Sequence, residues 1–234
     1  MSGKIKAKNS SWHFGKNVPK KFDLHIKKSV PFYEEMHQLI VNLSDFFLKK
    51  NSLCYDLGSS TGTLINKISI RHSEKKIKFC GVEIEKNMIL QAKKIKNKSK
   101  NKIHYLNRDL RKMKIKKNDM IISCYTIQFI EPKYRQNVID KIYKSLNWGG
   151  AFIIFEKIRA SDPRFQDIFT QIYLDFKLKN KFTEKEIINK SRSLKGVLEP
   201  FSEFGNLGLL KRAGFVDIIP IMQWTSFKGF LCIK

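Results

Sequence analysis

YDLGSSTGT, residues Tyr55 to Thr63, stands between a short apolar approach, SLC, and the helix-like run TLINKISIRH. A buried strand leading into a glycine turn and then a helix is the first unit of an open α/β sheet, whose ligands lie beyond the carboxyl ends of its strands. Gly58 and Gly62 supply positive φ or close backbone approach, and the helix start offers unpaired N–H groups. A second strand, IKFCGVE, ends at Glu83. An acidic side chain at that point is placed to take both hydroxyls of a ribose, so turn and carboxylate together predict a ribose-containing ligand.

The turn also narrows which ribose ligand fits. A dinucleotide site requires G-x-G-x-x-G with its pyrophosphate on the helix N-terminus, but Ser60 occupies the second glycine position and no Walker lysine follows. S-adenosyl-L-methionine, which carries an adenosine and an amino acid without phosphates, suits the stretch better. Asp56 is placed near its cationic end, and Asp109, in NRDL, near adenine N6; helix capping is the competing use of each aspartate. The exit of the fourth strand, CYTIQFIEP, brings Tyr125, Gln128 and Phe129 toward the reacting partner, although Phe129 better suits a core. Neither NPPY nor DPPY, the segments of base amino methylation, occurs, and there is no Pro-Cys pair for attack on uracil C5.

Outward from this unit the pattern repeats. KIHYLNRDL and DMIISCYTIQFI read as further strands, KYRQNVIDKIYKSLN as a helix closed by a WGG turn, and AFIIFEK as the next strand. A helix is predicted from Lys86 through MILQAKKIKN. VDIIPIMQW and SFKGFLCIK, separated by a short turn, predict an antiparallel edge pair. The expected fold is therefore α/β and Rossmann-like: a mostly parallel seven-stranded sheet with an antiparallel C-terminal edge pair and helices on both faces. Residues 1–50 are expected to form an N-terminal helical extension covering the active site, with a helix from Tyr33 to Leu48 whose apolar face is Met36, Leu39, Ile40, Leu43 and Phe47. The main domain spans 51–234 and carries a helical insertion at about 163–200, followed by the helix EFGNLGLLKRAGF.

Composition sets wider bounds. A 42% apolar chain of 234 residues with 18 Phe can bury a full core in one domain. Cys54, Cys80, Cys124 and Cys232 are too far apart for a CxxC motif, and three of them sit in apolar runs, so core thiols in a reducing compartment are expected and no metal site. No run approaches a membrane span and the N-terminus lacks an apolar leader core, which predicts a cytoplasmic protein. The formal charge of +25 favours polyanions, but its lysines are scattered through nearly every segment, and an ordinary solvated surface explains them equally well.

Nearly end to end, the chain resembles the carboxy-S-adenosyl-L-methionine synthases, methyltransferase-like enzymes that prepare the carboxymethyl donor for wobble uridine in tRNA. The resemblance rests on WHF at Trp12, KKSVPFY at Lys27 to Tyr33, YDLGSSTGT, GVEIEKNMI at Gly81 to Ile89, RDLR at Arg108 to Arg111, YTIQFIEP at Tyr125 to Pro132, LNWGGAFIIFEK at Leu146 to Lys157, DFK at Asp175 to Lys177 and LLKRAGF at Leu209 to Phe215. The glycine turn is common to many methyltransferases; SVPFY, TIQFIEP and FEK in this order are far narrower. The resemblance implies a methyltransferase fold and a reaction in which prephenate loses CO2 to the deprotonated sulfonium methyl of S-adenosyl-L-methionine, leaving phenylpyruvate and carboxy-S-adenosyl-L-methionine. It implies orientation and exclusion of water, without a metal or a covalent nucleophile.

Carried over by resemblance, Gly58 and Glu83 bind the amino-acid and ribose ends, with Asp56, Ser59, Ser60, Ile84 and Cys124 counted in the binding set, and Asp109 and Leu110 frame the adenine. Tyr33 enters from the extension to meet a carboxylate, Tyr125 lines the reacting end, and an arginine of the insertion reaches across a homodimer as a carboxylate clamp. Without the family, Tyr33 reads equally as an aromatic anchor of its helix. The chain departs from the pattern at three places. An ungapped comparison puts Ser191 at the clamp and Arg192 one residue later, Cys124 stands where asparagine is usual, and Glu83 replaces an aspartate. A one-residue shift turns a side chain about 100° around a helix, so a solvated Arg192 is the competing reading. Two other functions fit less of the sequence: a conventional S-adenosylmethionine-dependent methyltransferase acting on a small molecule or RNA, and an RNA-binding scaffold without turnover.

Overall fold

The computed structural model describes residues 8–12 and 18–234; His13 and Phe14 of the WHF motif lie outside them. The first helix, α1 (Val18–Ser29), and α2 (Tyr33–Phe47) precede the sheet. There follow β1 (Leu53–Leu57), α3 (Thr63–Arg71), β2 (Lys78–Glu83), α4 (Lys86–Ala92), β3 (Ile103–Asn107), β4 (Asn118–Cys124), α5 (Pro132–Ser145) and β5 (Leu146–Lys157). The insertion supplies α6 (Pro163–Lys179) and α7 (Glu184–Leu194), and α8 (Glu203–Ala213), β6 (Asp217–Trp224) and β7 (Phe227–Ile233) complete the chain.

The seven strands lie in the order β3-β2-β1-β4-β5-β7-β6, parallel except for β7, which runs antiparallel to both β5 and β6. The expected architecture is thus the observed one. Strand order reverses between β1 and β4, and a crevice opens where successive crossovers leave to opposite faces. One face of the sheet is covered by α5 and α8, through Val138, Ile139, Ile142, Leu209 and Leu210; the other by α2 and α3, through Met36, Ile40, Val41, Leu64, Ile65 and Ile68.

Local details depart from expectation. The buried stripe of α2 is Met36, His37, Ile40, Val41 and Ser44, while Leu39, Leu43 and Phe47 flank it half-buried. Ser44 belongs to the stripe because its hydroxyl meets His72 Nε2 at 2.7 Å, so a polar pair replaces one apolar contact. The helix after Glu83 stops at Ala92 instead of running through Asn97: beyond it Lys93, Lys94 and Lys96 crowd like charges on a segment with little apolar face to bury. WGG is not a turn but a bulge within β5. Gly149, at φ +74°, donates from its N–H to Lys234 O at 2.7 Å while β4 pairing jumps from Leu146 to Ala151. Within the helical extension, α1 was not foreseen as a helix of its own, because four lysines interrupt its apolar residues.

An arginine ties the insertion to the sheet. Arg135, 2% exposed, donates to Ile130 O, Gln128 O and Glu199 O at 2.7, 3.0 and 2.8 Å and lies over the Phe201 ring. Its charge is buried among three carbonyl dipoles, which is how an interior guanidinium is accommodated.

Candidate active site

The turn after β1 is wound tightly enough to need its glycines. Gly58, Ser60 and Gly62 all have positive φ, at 79°, 50° and 77°. Gly58 N–H and Ser59 N–H donate to Val82 O at 2.8 and 3.0 Å, which folds the turn back over β2. The switch point sets Gly58 against the β4 exit: a Cβ there would stand 2.1 Å from Thr126 Oγ1 and 2.6 Å from its Cγ2. Sequence reasoning missed Thr126, since nothing local marks a contact between segments 68 residues apart.

Glu83 is the anchor of the turn. One carboxylate oxygen accepts from Ser60 N–H at 3.0 Å and the other from Glu85 N–H at 2.9 Å. Burial raises its pKa, and these backbone donors pull the other way. A carboxylate offers about four lone-pair positions, so two backbone bonds hold it while leaving acceptor capacity for a pair of vicinal hydroxyls. Asp56 lies inside the sheet, 3% exposed, with its pKa pushed up to about 7 by burial and then by the Glu83 charge. An arriving cation would offset both penalties. These features fit the substrate S-adenosyl-L-methionine: a cradle without room for a Cβ, a carboxylate with acceptor capacity to spare and a buried carboxyl whose burial a cation would offset.

Not every predicted residue turns toward the crevice. Ser59 Oγ sits over Gly81 without a hydrogen-bond partner, and Ser60 Oγ points to Met88 Sδ, so both act through their backbone. Ile84 is exposed beside Glu83, and Leu110 is half-buried against the α5 face. Asp109 is held by Arg111, whose N–H and guanidinium donate at 2.7–3.1 Å and keep its pKa below the usual range. Arg111 also reaches Glu131 at 3.0 Å, so the β3 exit is tied to the β4 exit, and an adenine amino group would share Asp109 with it.

Tyr33 does reach the crevice. Its ring packs on His37 at 4.2 Å between centroids, and its pKa is raised first by burial and then by Cys124, Asp23 and Asp56, groups at the exits of β4 and β1 and on α1. Asp23 was not foreseen. It accepts from Thr61 Oγ1 at 2.6 Å and Thr63 Oγ1 at 3.2 Å, fastening α1 to the glycine turn and the start of α3. Tyr125, at φ +55°, donates its N–H to Phe155 O at 2.7 Å and faces Phe227, 5.9 Å between centroids. Burial pushes the Cys124 thiol well up, leaving it a weak donor.

Gln128 is a structural latch rather than a lining residue. Its amide oxygen accepts from Lys157 N–H at 2.8 Å, and its own N–H donates to Glu156 at 2.9 Å. Glu156, buried and raised to about 8 by burial, caps the short helical turn at Ile127–Phe129. Arg192 stands apart, exposed on the last turn of α7, which stays helical to Leu194; its carbonyl accepts from Ser10 N–H at 3.1 Å. Among the described residues no group of three or more His, Cys, Asp or Glu is placed to hold a metal, and no helix is long and apolar enough to cross a membrane.

Comparison with solved structures places the fold. The chain superposes over its whole length on a putative S-adenosyl-L-methionine-dependent methyltransferase of Methanococcus maripaludis (TM-score 0.61, 19% identity, 97% of that chain covered). It also matches 56% of human N-acetylserotonin methyltransferase, solved in complex with SAM, over 94% of its own length (TM-score 0.64, 16% identity). A methyltransferase domain family matches residues 55–150. Sequence comparison reaches further. The chain is 34% identical to the carboxy-S-adenosyl-L-methionine synthase of Staphylococcus epidermidis (95% of this chain, 97% of that one) and 35% identical to that of Desulfotalea psychrophila (95% and 92%). With the synthase of Sulfurimonas denitrificans it shares 32% identity over the full length of both. The glycine turn, the seven-stranded sheet and this near-complete coverage converge on one assignment: the chain belongs to the carboxy-S-adenosyl-L-methionine synthase family, within the S-adenosylmethionine-dependent methyltransferase-like superfamily.

Proposed function

We propose that the protein converts S-adenosyl-L-methionine and prephenate into carboxy-S-adenosyl-L-methionine and phenylpyruvate, supplying the donor for carboxymethylation of wobble uridine in tRNA. One observation carries this reading. The general methyltransferase match stops at residues 55–150, whereas identity to carboxy-S-adenosyl-L-methionine synthases spans 95% of the chain or more, and so takes in the extension and the insertion. Those segments hold Tyr33 and Arg192.

When bound, S-adenosyl-L-methionine supplies a methyl group acidified by the adjoining sulfonium. The protein's part is to hold, orient and dry the reactants. Glu83 accepts from the ribose hydroxyls, the Gly58 turn lets the amino-acid end approach the backbone, Asp56 offsets positive charge, and Asp109 and Leu110 border the adenine. Tyr33 and Tyr125 close the reacting end, Tyr33 donating its hydroxyl to a carboxylate; burial keeps that hydroxyl protonated at neutral pH. Arg192 completes carboxylate binding from a second copy of the chain in a homodimer.

Incubation of the purified protein with S-adenosyl-L-methionine, with and without prephenate, tests the reaction. The expected result is a prephenate-dependent product heavier by one carboxylate, formed with phenylpyruvate. Formation of S-adenosylhomocysteine on an RNA or metabolite acceptor, with no such product, would overturn it.

A further inference from the structure

Three lysines converge beside the candidate site without a carboxylate among them. Lys157, the last residue of β5, leaves the sheet next to Tyr125, and its backbone is pinned by Gln128. Its ammonium lies 4.4 Å from the centroid of the Tyr173 ring and 5.6 Å from that of Phe227. Lys177, one turn further along α6 than Tyr173, sets its ammonium 4.2 Å from the same ring. Lys190, on α7, lies over the Trp12 ring and faces Lys177 closely enough for the two charges to repel. Tyr173 is fixed between insertion and extension, donating its hydroxyl to Ser29 O at 2.9 Å, and its ring meets Phe227, which meets Tyr125. The lysines are thus joined to the reacting end through a chain of rings, Tyr173 to Phe227 to Tyr125.

The other charged groups around them do not balance this charge. Arg159 and Lys195 bear on Lys157, and His25 of α1 faces Lys177 and Lys190. Glu186 is the acidic group on this side of α7, and its carboxylate accepts from Thr183 N–H and Oγ1 as the cap of that helix. None of the three lysines forms an ion pair among the described residues. Ammonium groups withdrawn from water and set against one another are unfavourable unless paired. Cation–π contact with Tyr173 and Trp12 offsets only part of that cost.

We propose that Lys157, Lys177 and Lys190 form the receptor for the carboxylates of the acidic co-substrate, drawing a dianion into the space between α6, α7 and the β5 exit. The assignment rests on the prephenate reading above and adds residues to it, since prephenate carries two carboxylates and a single clamp arginine answers one. Burial, then mutual repulsion, holds Lys177 near 8 and Lys190 near 6, and burial, Arg159 and Lys195 hold Lys157 near 8. Lys190 is therefore mostly neutral at pH 7 and takes up a proton when an anion arrives.

The test titrates prephenate by calorimetry into protein saturated with S-adenosylhomocysteine, which has no methyl group to react, in two buffers of different ionisation enthalpy. Proton uptake is expected for the unaltered protein and its loss in Lys190→Met. Lys177→Met and Lys157→Met are expected to raise KM for prephenate about 10- to 100-fold with the affinity for S-adenosyl-L-methionine unchanged, and Lys177→Arg to restore most of it. Lys157→Met and Lys177→Met should unfold at a higher temperature than the ligand-free parent at pH 7, because a repelling charge is gone, and Lys190→Met should do so only below about pH 6, where its charge is present in the parent; this separates a lost receptor from a lost fold. Unchanged prephenate affinity in all three methionine variants overturns the lysine assignment while leaving the reaction intact. Prephenate binding with proton uptake but no carboxylated product would instead overturn the reaction and keep the receptor.

Discussion

Gly58→Ala would probe the contact on which the site is built. At φ +79° an L-residue costs about 1–2 kcal/mol. The added Cβ would also meet Thr126 Oγ1 at 2.1 Å, Cγ2 at 2.6 Å and Cβ at 2.9 Å, an overlap with a branched side chain that relaxes only if a strand exit moves. Such overpacking costs about 1–3 kcal/mol, so the variant should lose about 2–5 kcal/mol in chemical denaturation. At about 2–4 °C per kcal/mol for a chain of this size, its melting temperature should fall by roughly 4–20 °C. The two contributions separate in a cycle with Thr126→Gly, which removes the overlapping atoms but not the φ strain, and itself forfeits the Thr126 hydroxyl bond to Cys124 O at 3.2 Å. The double variant should be more stable than the sum of the single losses by about 1–3 kcal/mol. Additivity within about 0.5 kcal/mol, or a Gly58→Ala protein as stable as its parent, would refute the argument that the switch point presses these segments together.

Glu83→Gln leaves one acceptor for the two N–H groups of Ser60 and Glu85 and turns an amide NH2 toward the other; a stability loss of about 1–3 kcal/mol and at least a roughly tenfold weaker calorimetric affinity for S-adenosyl-L-methionine are expected. Asp56 keeps its proton up to about pH 7 in the folded chain and releases it near 3.8 when unfolded. Stability of the ligand-free protein should therefore fall as pH rises from about 4 to 7, by up to about 4 kcal/mol from this group. Glu156 contributes in the same sense, so Asp56→Asn should flatten the pH profile without levelling it, and an unchanged profile would exclude Asp56. Arg192→Ala should raise KM for prephenate about tenfold or more while sparing S-adenosyl-L-methionine binding; equal loss of both, or of neither, would remove Arg192 from the clamp role.

What was legible in the sequence was what lies close along the chain. The YDLGSSTGT turn and Glu83 could be read because strand, turn and helix follow one another and the acid falls at a set distance downstream. The edge pair could be read from the short turn between its strands. Asp23 and Thr126 could not, since each meets the turn only once α1 folds back against it and β4 inserts beside β1. The lysines were hidden differently: Lys157 and Lys177 close the FEK and DFK motifs, but among 46 basic residues nothing joins them to each other or to Lys190 until the fold does. The α4 overrun and the WGG bulge share a cause, because periodicity and glycine pairs describe a segment before its neighbours decide how far it extends.

Arg135 makes the helical insertion less modular than its place between strands suggests. Its guanidinium grips Gln128 and Ile130 on one side and Glu199 on the other, and Glu199 N–H adds a bond to Gln128 O at 3.1 Å. Grafting the insertion through Glu199 onto another sheet would leave behind a permanent buried charge with one of its three carbonyls missing, unless α5 and the β4 exit travelled with it. Changes of loop length in the insertion belong upstream of Glu199, between Lys195 and Leu198, where Arg135 does not hold the chain.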